Sequence, residues 1–543
     1  MLTSRKIIRM LLGATIVAGF HFGFVGVQIS AAQIVKVSGD DPFADCQITV
    51  VSGETNFPNT RVEPYVAVNP VSQTQGQGKA PSNLIGVWQQ DRWSDGGARG
   101  LVAGFSFDSG QTWGQTALPF SQCAPGGLQE ERASDPWVSI GPDGIAYASS
   151  LSVSFVSASI SDTAVAAVTS IDGGKTWQNL AVIRRDPFAL AFNDKETVTA
   201  DPVKPGTAYI VWDQGAGGHA TTRFAKTFDG GVSWSPDKII VNTVKGESTG
   251  GNQILVDPNT DVLYNFFTWA PPNSPLFFAA FVKSTDGGDT WSALQTIDQI
   301  RSIDVTGPNG EVIRTSENKN NQMLATLQAN GVSEPIRAGG RGVAIDPHTG
   351  QLNVVWDDAR FSGMLYDEIA ISTSTDGGTT WSTTSRVNPP TGGVKFTPSV
   401  QVNGNGVVAV TYYDFRNFNG QKDTLPTDYW IVFSKDGGSS FEDEKHVAGS
   451  FNMLAAPLLA DGFFLGDYEG LGSAGNAFVP FFVQTNCHNN SCDATSGGSR
   501  PTDPIARTPM LIPVLVSLFD RSFQPHLDQM QHGSVDDPSS HRL

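Results

Sequence analysis

Short runs of alternating apolar and polar residues recur along this chain, and a period of two marks a half-buried strand. One kind of run opens on a polar residue, often followed by Pro, and closes near Asn-Pro or Asp-Pro. It reads Glu63-Pro-Tyr-Val-Ala-Val-Asn-Pro70, Asp135-Pro-Trp-Val-Ser-Ile-Gly-Pro142 and Lys195-Glu-Thr-Val-Thr-Ala-Asp-Pro202. Later copies are Asn252-Gln-Ile-Leu-Val-Asp-Pro258, Arg341-Gly-Val-Ala-Ile-Asp-Pro347 and Thr397-Pro-Ser-Val-Gln-Val402. A more apolar strand follows each at a short interval, as at 83–88, 207–212, 262–269, 351–356 and 406–413. A third strand then runs into a fixed motif, S/T-x-D-x-G-x-S/T-W/F, and a short fourth strand follows it.

The motif occurs six times, with Asp108, Asp172, Asp229, Asp286, Asp376 and Asp436 at its third position. The first copy is Ser106-Phe-Asp-Ser-Gly-Gln-Thr-Trp113, and the last is Ser434-Lys-Asp-Gly-Gly-Ser-Ser-Phe441. Each residue type suits a tight turn. The Asp carboxylate accepts turn N–H groups, the Gly takes positive φ, and the terminal aromatic buries a broad flat surface. Four short antiparallel strands in a repeat of roughly 60 residues make one propeller blade. A seventh unit is expected from Leu465-Gly-Asp-Tyr-Glu-Gly470, 476–484 and 509–518, ending in a worn motif at 519–523. The expected fold is therefore an all-β propeller of four-stranded antiparallel blades, seven in number, with six as the alternative. Residues 48–51 are expected to complete the last blade and close the ring. Residues 298–338 read as an insertion holding a Pro-Asn-Gly hairpin turn, and 524–543 as a loose tail.

The repeated motif resembles the Asp box of sialidase-type propellers, and the resemblance runs through nearly the whole chain after the N-terminal segment. It is specific for fold and weak for activity, because Asp boxes lie at blade turns. Topology places the starts of first strands and the ends of second strands on one face, with the boxes on the other. Arg61, Glu63, Asp135, Glu196, Asn252, Arg341, Asp467 and Tyr468 thus share the channel mouth with Asp91, Arg92, Asp213, Asp357, Asp358, Arg360, Asp414 and Arg416. A mouth of mixed charge is the default site. A sialidase needs arginines around a substrate carboxylate, a Tyr–Glu nucleophile pair and an Asp acid/base. The resemblance implies Arg61, Arg341 and either Arg360 or Arg416 as the clamp, with Glu63 beside it, and Asp91 as the acid/base. It implies Tyr468 with Glu469 as nucleophile pair, with Tyr412 or Tyr413 as alternatives. Asp91-Arg92, Asp357-Asp-Ala-Arg360 and Asp414-Phe-Arg416 also repeat one Asp–Arg pattern, and a feature repeated in three blades reads as a salt bridge within or between blades ahead of a unique catalytic acid. The alternative to a hydrolase of terminal acidic sugars is a non-catalytic propeller binding a glycan or a protein.

Composition narrows the picture further. A net charge of −18 argues against nucleic acid or an anionic membrane as the main partner. Hydrophobic residues at 39% and charged ones at 16% exclude a disordered chain. Residues 1–32 read as an export signal, with Arg5, Lys6 and Arg9 before an apolar run; an uncleaved anchor is the alternative. Secretion, or at least a place outside the cytoplasm, is expected, and export permits disulfides. Cys46, Cys123, Cys487 and Cys492 allow three pairings; Cys487-His-Asn-Asn-Ser-Cys492 suggests a local clasp, leaving Cys46 with Cys123. No cofactor is expected. The Asp257-Pro-Asn-Thr-Asp261 turn has oxygen ligands suited to Ca²⁺, though capping of its own backbone is the favoured reading.

Overall fold

The structure, a computed structural model, describes residues 34–48, 54–74, 82–156, 159–315, 341–459, 462–485, 502–507 and 510–511. Seven four-stranded antiparallel units follow one another among these residues. The first comprises Arg61–Val68, Leu84–Arg92, Ala98–Ser106 and Gly114–Leu118, paired in that order. The innermost strands of the next five are Arg132–Ile140, Phe192–Ala200, Ser248–Val256, Arg341–Ile345 and Lys395–Val402. Gly470–Ala474 is innermost in the last unit. Each inner strand touches the next, and Gly470–Ala474 touches Arg61–Val68, so the inner strands close a ring around a central channel. The fold is a β-propeller. No helix among the described residues is long and apolar enough to cross a membrane.

Closure uses a different segment from the one expected. Ile34–Lys36 pairs antiparallel with Thr502–Arg507 and supplies the outermost strand of the last blade. Residues 49–51 lie outside the described residues. The physical reason is local. Val37 is buried, Ser38 donates to Asp503 Oδ1 at 2.5 Å, and Phe43 packs into the space over Gly100. A Cys46–Cys123 disulfide then holds the strap on the first blade. In the last blade the first strand begins at Gly470, later than expected, so Asp467, Tyr468 and Glu469 precede it as a loop. The third strand begins earlier than expected, at Thr502–Arg507, and Met510–Leu511 within the expected 509–518 continues the pairing with the same second strand; 512–518, the worn motif at 519–523, the Cys487–Cys492 loop, the tail and the N-terminal segment fall outside the described residues. The fourth strand of the fourth blade runs through Gln295–Ile300, so the insertion begins just after it. The Pro-Asn-Gly turn is present, with Thr306 opposite Val312.

The six repeated turns share one hydrogen-bond pattern. In the first, Asp108 Oδ1 accepts from Thr112 N at 2.8 Å and Oδ2 from Thr112 Oγ1 at 2.6 Å. Ser106 Oγ donates to Asp108 Oδ1 and accepts from Gly110 N, both at 2.8 Å. Gly110 has φ +85°, a conformation a side chain would strain. The terminal aromatic is a wedge between blades: Trp291 meets Phe224 of the preceding blade, and Trp381 meets Phe266 and Phe281. Hydrogen bonds from Thr380 and Ser440 hold the carboxyls of Asp376 and Asp436 down to about 2. Because the folded state holds these groups below the ordinary 3.8, their contribution is present above that pH and fades as the pH falls toward 2. The urea midpoint is therefore expected to fall between about pH 4 and 2, and less steeply in a D376N/D436N double variant. Equal slopes in the two proteins would contradict this.

Candidate functional site

Five of the seven inner strands carry the same irregularity at their start. Register slips after Val62, Ser134, Asp194, Gly250 and Phe396, and the next residue is left-handed each time. These residues are Glu63 (φ 52°), Asp135 (52°), Lys195 (53°), Gly251 (65°) and Thr397 (53°). A bulge re-aims a side chain, and here it does so around a ring. Non-glycine residues rarely adopt this conformation, and Glu63, Asp135 and Thr397 do so just before proline. The closed ring of strands holds them there.

The result is one ammonium among carboxylates of three other blades. Lys195 Nζ lies 2.5 Å from Asp467 Oδ2, 3.1 Å from Asp135 Oδ1 and 3.6 Å from Glu63 Oε1. Glu63 also accepts from Gln89 Nε2, and Arg92 stands 3.9 Å away. Burial pushes the Glu63 carboxyl up to about 7 against the pull of Lys195. Asp135, equally buried, is held below the ordinary range by Lys195. Burial pushes Glu196 well up, with Asp135 adding to it. Beneath the cluster Tyr65 stacks on Trp137 at 3.5 Å between centroids, and Tyr468 meets Trp137 edge-on at 5.2 Å. Tyr65 also meets Tyr468 edge-on at 6.3 Å, so the three rings form one aromatic cluster.

Among the described side chains, the arginines expected to clamp a carboxylate do not converge. Arg61 is buried and donates to Asp503 Oδ1 at 2.9 Å, Gln90 Oε1 at 3.1 Å and the carbonyls of Asn59 and Gly39. Arg360 is held by Asp358 at 2.8 Å and Asp298 at 2.6 Å. Arg416 is held by Asp414 at 2.5 Å and Glu444 at 2.6 Å, with its guanidinium 3.7 Å over Trp430. The three therefore bind separate carboxylates and share no point. The repeated Asp–Arg pattern is structural in the fifth and sixth blades. Arg341 opens its strand opposite Trp356, and its side chain lies outside the described groups.

Asp91 is fully buried, accepting from Asn59 N and Gln90 Nε2 at 2.8 Å and lying 3.3 Å from Arg99. Its carboxyl is pushed up to about 7 by burial and by Asp41, but Asn59 and Arg99 hold it inside the first blade. Tyr468 and Glu469 are not a pair. The Tyr468 hydroxyl donates to Pro136 O at 2.9 Å across the ring, while Glu469 Oε2 accepts from Val483 N at 3.1 Å inside the last blade. Burial pushes Tyr468 well above the ordinary phenol range. Tyr413 bonds both backbone atoms of Val483 and is wholly buried; Tyr412 donates to Glu444. Lys195 was not among the residues expected at the site. Aligning Lys195-Glu196 under Glu63-Pro64 and Asp135-Pro136 is the signal that finds it. No group of His, Cys, Asp and Glu among the described residues is arranged to hold a metal ion, and the Asp257 turn caps itself through Asn259 N and Thr260 Oγ1.

Tyr65 and Trp137 also line a central cavity of about 490 Å³. It is lined by the inner strands and reaches Pro70, Pro202, Pro347 and Gly404 at their far ends, on the face of the repeated turns. No lining residue is charged.

No protein-family model matches the chain, and no curated protein matches it in sequence. Solved structures do match in fold. The alpha-L-arabinanase of Penicillium chrysogenum is 13% identical at a TM-score of 0.42, over 67% of this chain and 94% of its own. The alpha-L-arabinofuranosidase of Fusarium graminearum is 16% identical at 0.41, over 67% and 93%. A Hadza microbial sialidase is 14% identical at 0.40, over 83% and 66%. At these values the likeness does not say which bond, if any, this chain cleaves.

Proposed function

We propose that this chain is an exported, glycan-binding propeller in which the chemistry of a sialidase is not assembled. The observation that carries this reading is the separate pairing of Arg61, Arg360 and Arg416. A substrate carboxylate would need bidentate donors that these carboxylates already occupy. The rest of the mouth is itself rich in carboxylates and disfavours an anionic sugar. Export is supported by the apolar N-terminal segment and by the Cys46–Cys123 bond. Partners are then glycans or glycoproteins met outside the cytoplasm.

One observation favours a second reading, a hydrolase acting on uncharged glycosides. Glu63 and Asp135 share Lys195, and their surroundings push their carboxyls in opposite directions, as for an acid and its partner carboxylate. A single experiment separates the readings. Purified protein is incubated with a fluorogenic sialoside and with fluorogenic neutral glycosides, beside an E63Q variant, and is also applied to a glycan array. The expected result is no release from any substrate and retention of glycans on the array. Release from a neutral glycoside that E63Q abolishes would establish the hydrolase. Release from the sialoside would sink both readings.

A further inference from the structure

We propose that the central cavity is the binding site, that its ligand is the uncharged end of a saccharide, and that it enters from the face of the repeated turns. The proposal rests on the glycan-binding reading above and reverses the side of the propeller on which a ligand is expected.

Three observations carry it. First, the cavity does not extend to the charged residues of the mouth. Its lining includes Tyr65 and Trp137 but none of Glu63, Asp135, Lys195 or Asp467. The far ends of the inner strands, at Pro70, Pro202 and Gly404, form its rim. Second, the wall is free of charge in a chain of net charge −18. A charged ligand would be desolvated there with no counter-ion, which costs several kcal/mol. Third, the wall mixes apolar surface with hydrogen-bonding groups in two tiers. Alternate residues of one strand face the channel, as with Trp137 and Ser139, or Thr197 and Thr199. Ser139 Oγ accepts from Ala200 N at 3.0 Å and keeps its own hydrogen to donate. Thr199 Oγ1 donates to Ile254 O at 3.0 Å and keeps its lone pairs to accept. Leu255 and Val343 supply aliphatic wall. A neutral sugar ring, with hydroxyls at its rim and C–H groups on its faces, matches such a surface. The volume lies within the usual range for small-ligand sites.

The test is isothermal titration of the full mature chain with arabinotriose, cellotriose and maltotriose, and with sialyllactose as the charged probe. At least one neutral trisaccharide is expected to bind, and sialyllactose more weakly. A67W, which fills the cavity from the first blade, is expected to lower that affinity at least about tenfold. L255W fills it from the fourth blade and serves the same purpose should A67W fold poorly; unfolding temperatures report which variants are intact. D298N, which alters the Arg360 ion pair outside the cavity lining, is expected to leave the affinity unchanged. If both cavity variants bind as the parent does, or if D298N alone loses binding, the cavity assignment is wrong while the glycan-binding reading stands. Sialyllactose binding as tightly as the neutral sugars overturns the choice of ligand. If no saccharide binds in titration or on the array, both the site and the reading above are overturned.

Discussion

Replacing Lys195 by methionine is expected to destabilise the protein by about 3–5 kcal/mol, the usual cost of removing one partner from a buried ionic cluster. Asp135 and Asp467 would lose their nearest cation, and Glu63 would keep only the more distant Arg92. The sign of the pH dependence is distinctive. In the parent, Glu63 already titrates near 7, above its ordinary 4.5, because it is buried. A raised carboxyl binds its proton more tightly when folded, so it favours the folded state at low pH, and this advantage is lost as the pH rises through 7. Without Lys195 the Glu63 carboxyl moves further up, and Asp135 loses the cation that holds its carboxyl down. The deficit of K195M relative to the parent should therefore grow between about pH 5 and pH 8. Urea unfolding at several pH values checks this. A deficit independent of pH would mean that Lys195 contributes packing alone. K195M/E63Q should recover part of the loss at pH 8, since it removes one of the stranded charges.

Replacing Arg61 by methionine is expected to cost a similar amount, about 3 kcal/mol, and to act at the seam of the ring. Arg61 lies on the inner strand of the first blade, and its principal partner, Asp503, lies on the third strand of the last. Asp503 also receives Lys36 at 3.1 Å and Ser38 at 2.5 Å from the N-terminal strap. One carboxylate thus ties together the first blade, the last blade and the strap that completes it. Lys36 is half-exposed and its pairing is screened, so it offsets little of the loss. Limited proteolysis should cut the strap at 34–48 sooner in R61M than in the parent, while the repeated turns of the middle blades stay protected. Uniform cleavage along the chain would place the effect elsewhere.

Much of this fold was legible because it is local. Ser106, Asp108, Gly110 and Thr112 satisfy one another within seven residues, so the turn can be read wherever those residue types recur. The inner strands were legible for a similar reason, since Glu63-Pro64 and Asp135-Pro136 mark their starts. The clamp was not legible. The side-by-side order of Asp414 and Arg416 is compatible both with an arginine turned to the channel and with one turned to its own blade. Only packing chose the second, by placing Glu444 and the Trp430 ring next to Arg416. Likewise Tyr468 and Glu469 are adjacent in sequence and bond to opposite sides of their loop, to Pro136 and to Val483.

The sequence alone determined the repeating unit, the residues at each turn and the face on which the turns lie, because period, turn chemistry and strand direction are properties of neighbouring residues. The tertiary structure alone decided which strand seals the ring, where Lys195 finds its three carboxylates, and that the open cavity lies beneath the mouth rather than in it. Those features join residues 60 to 465 positions apart. They depend on how blades pack against one another, and no local pattern carries that information.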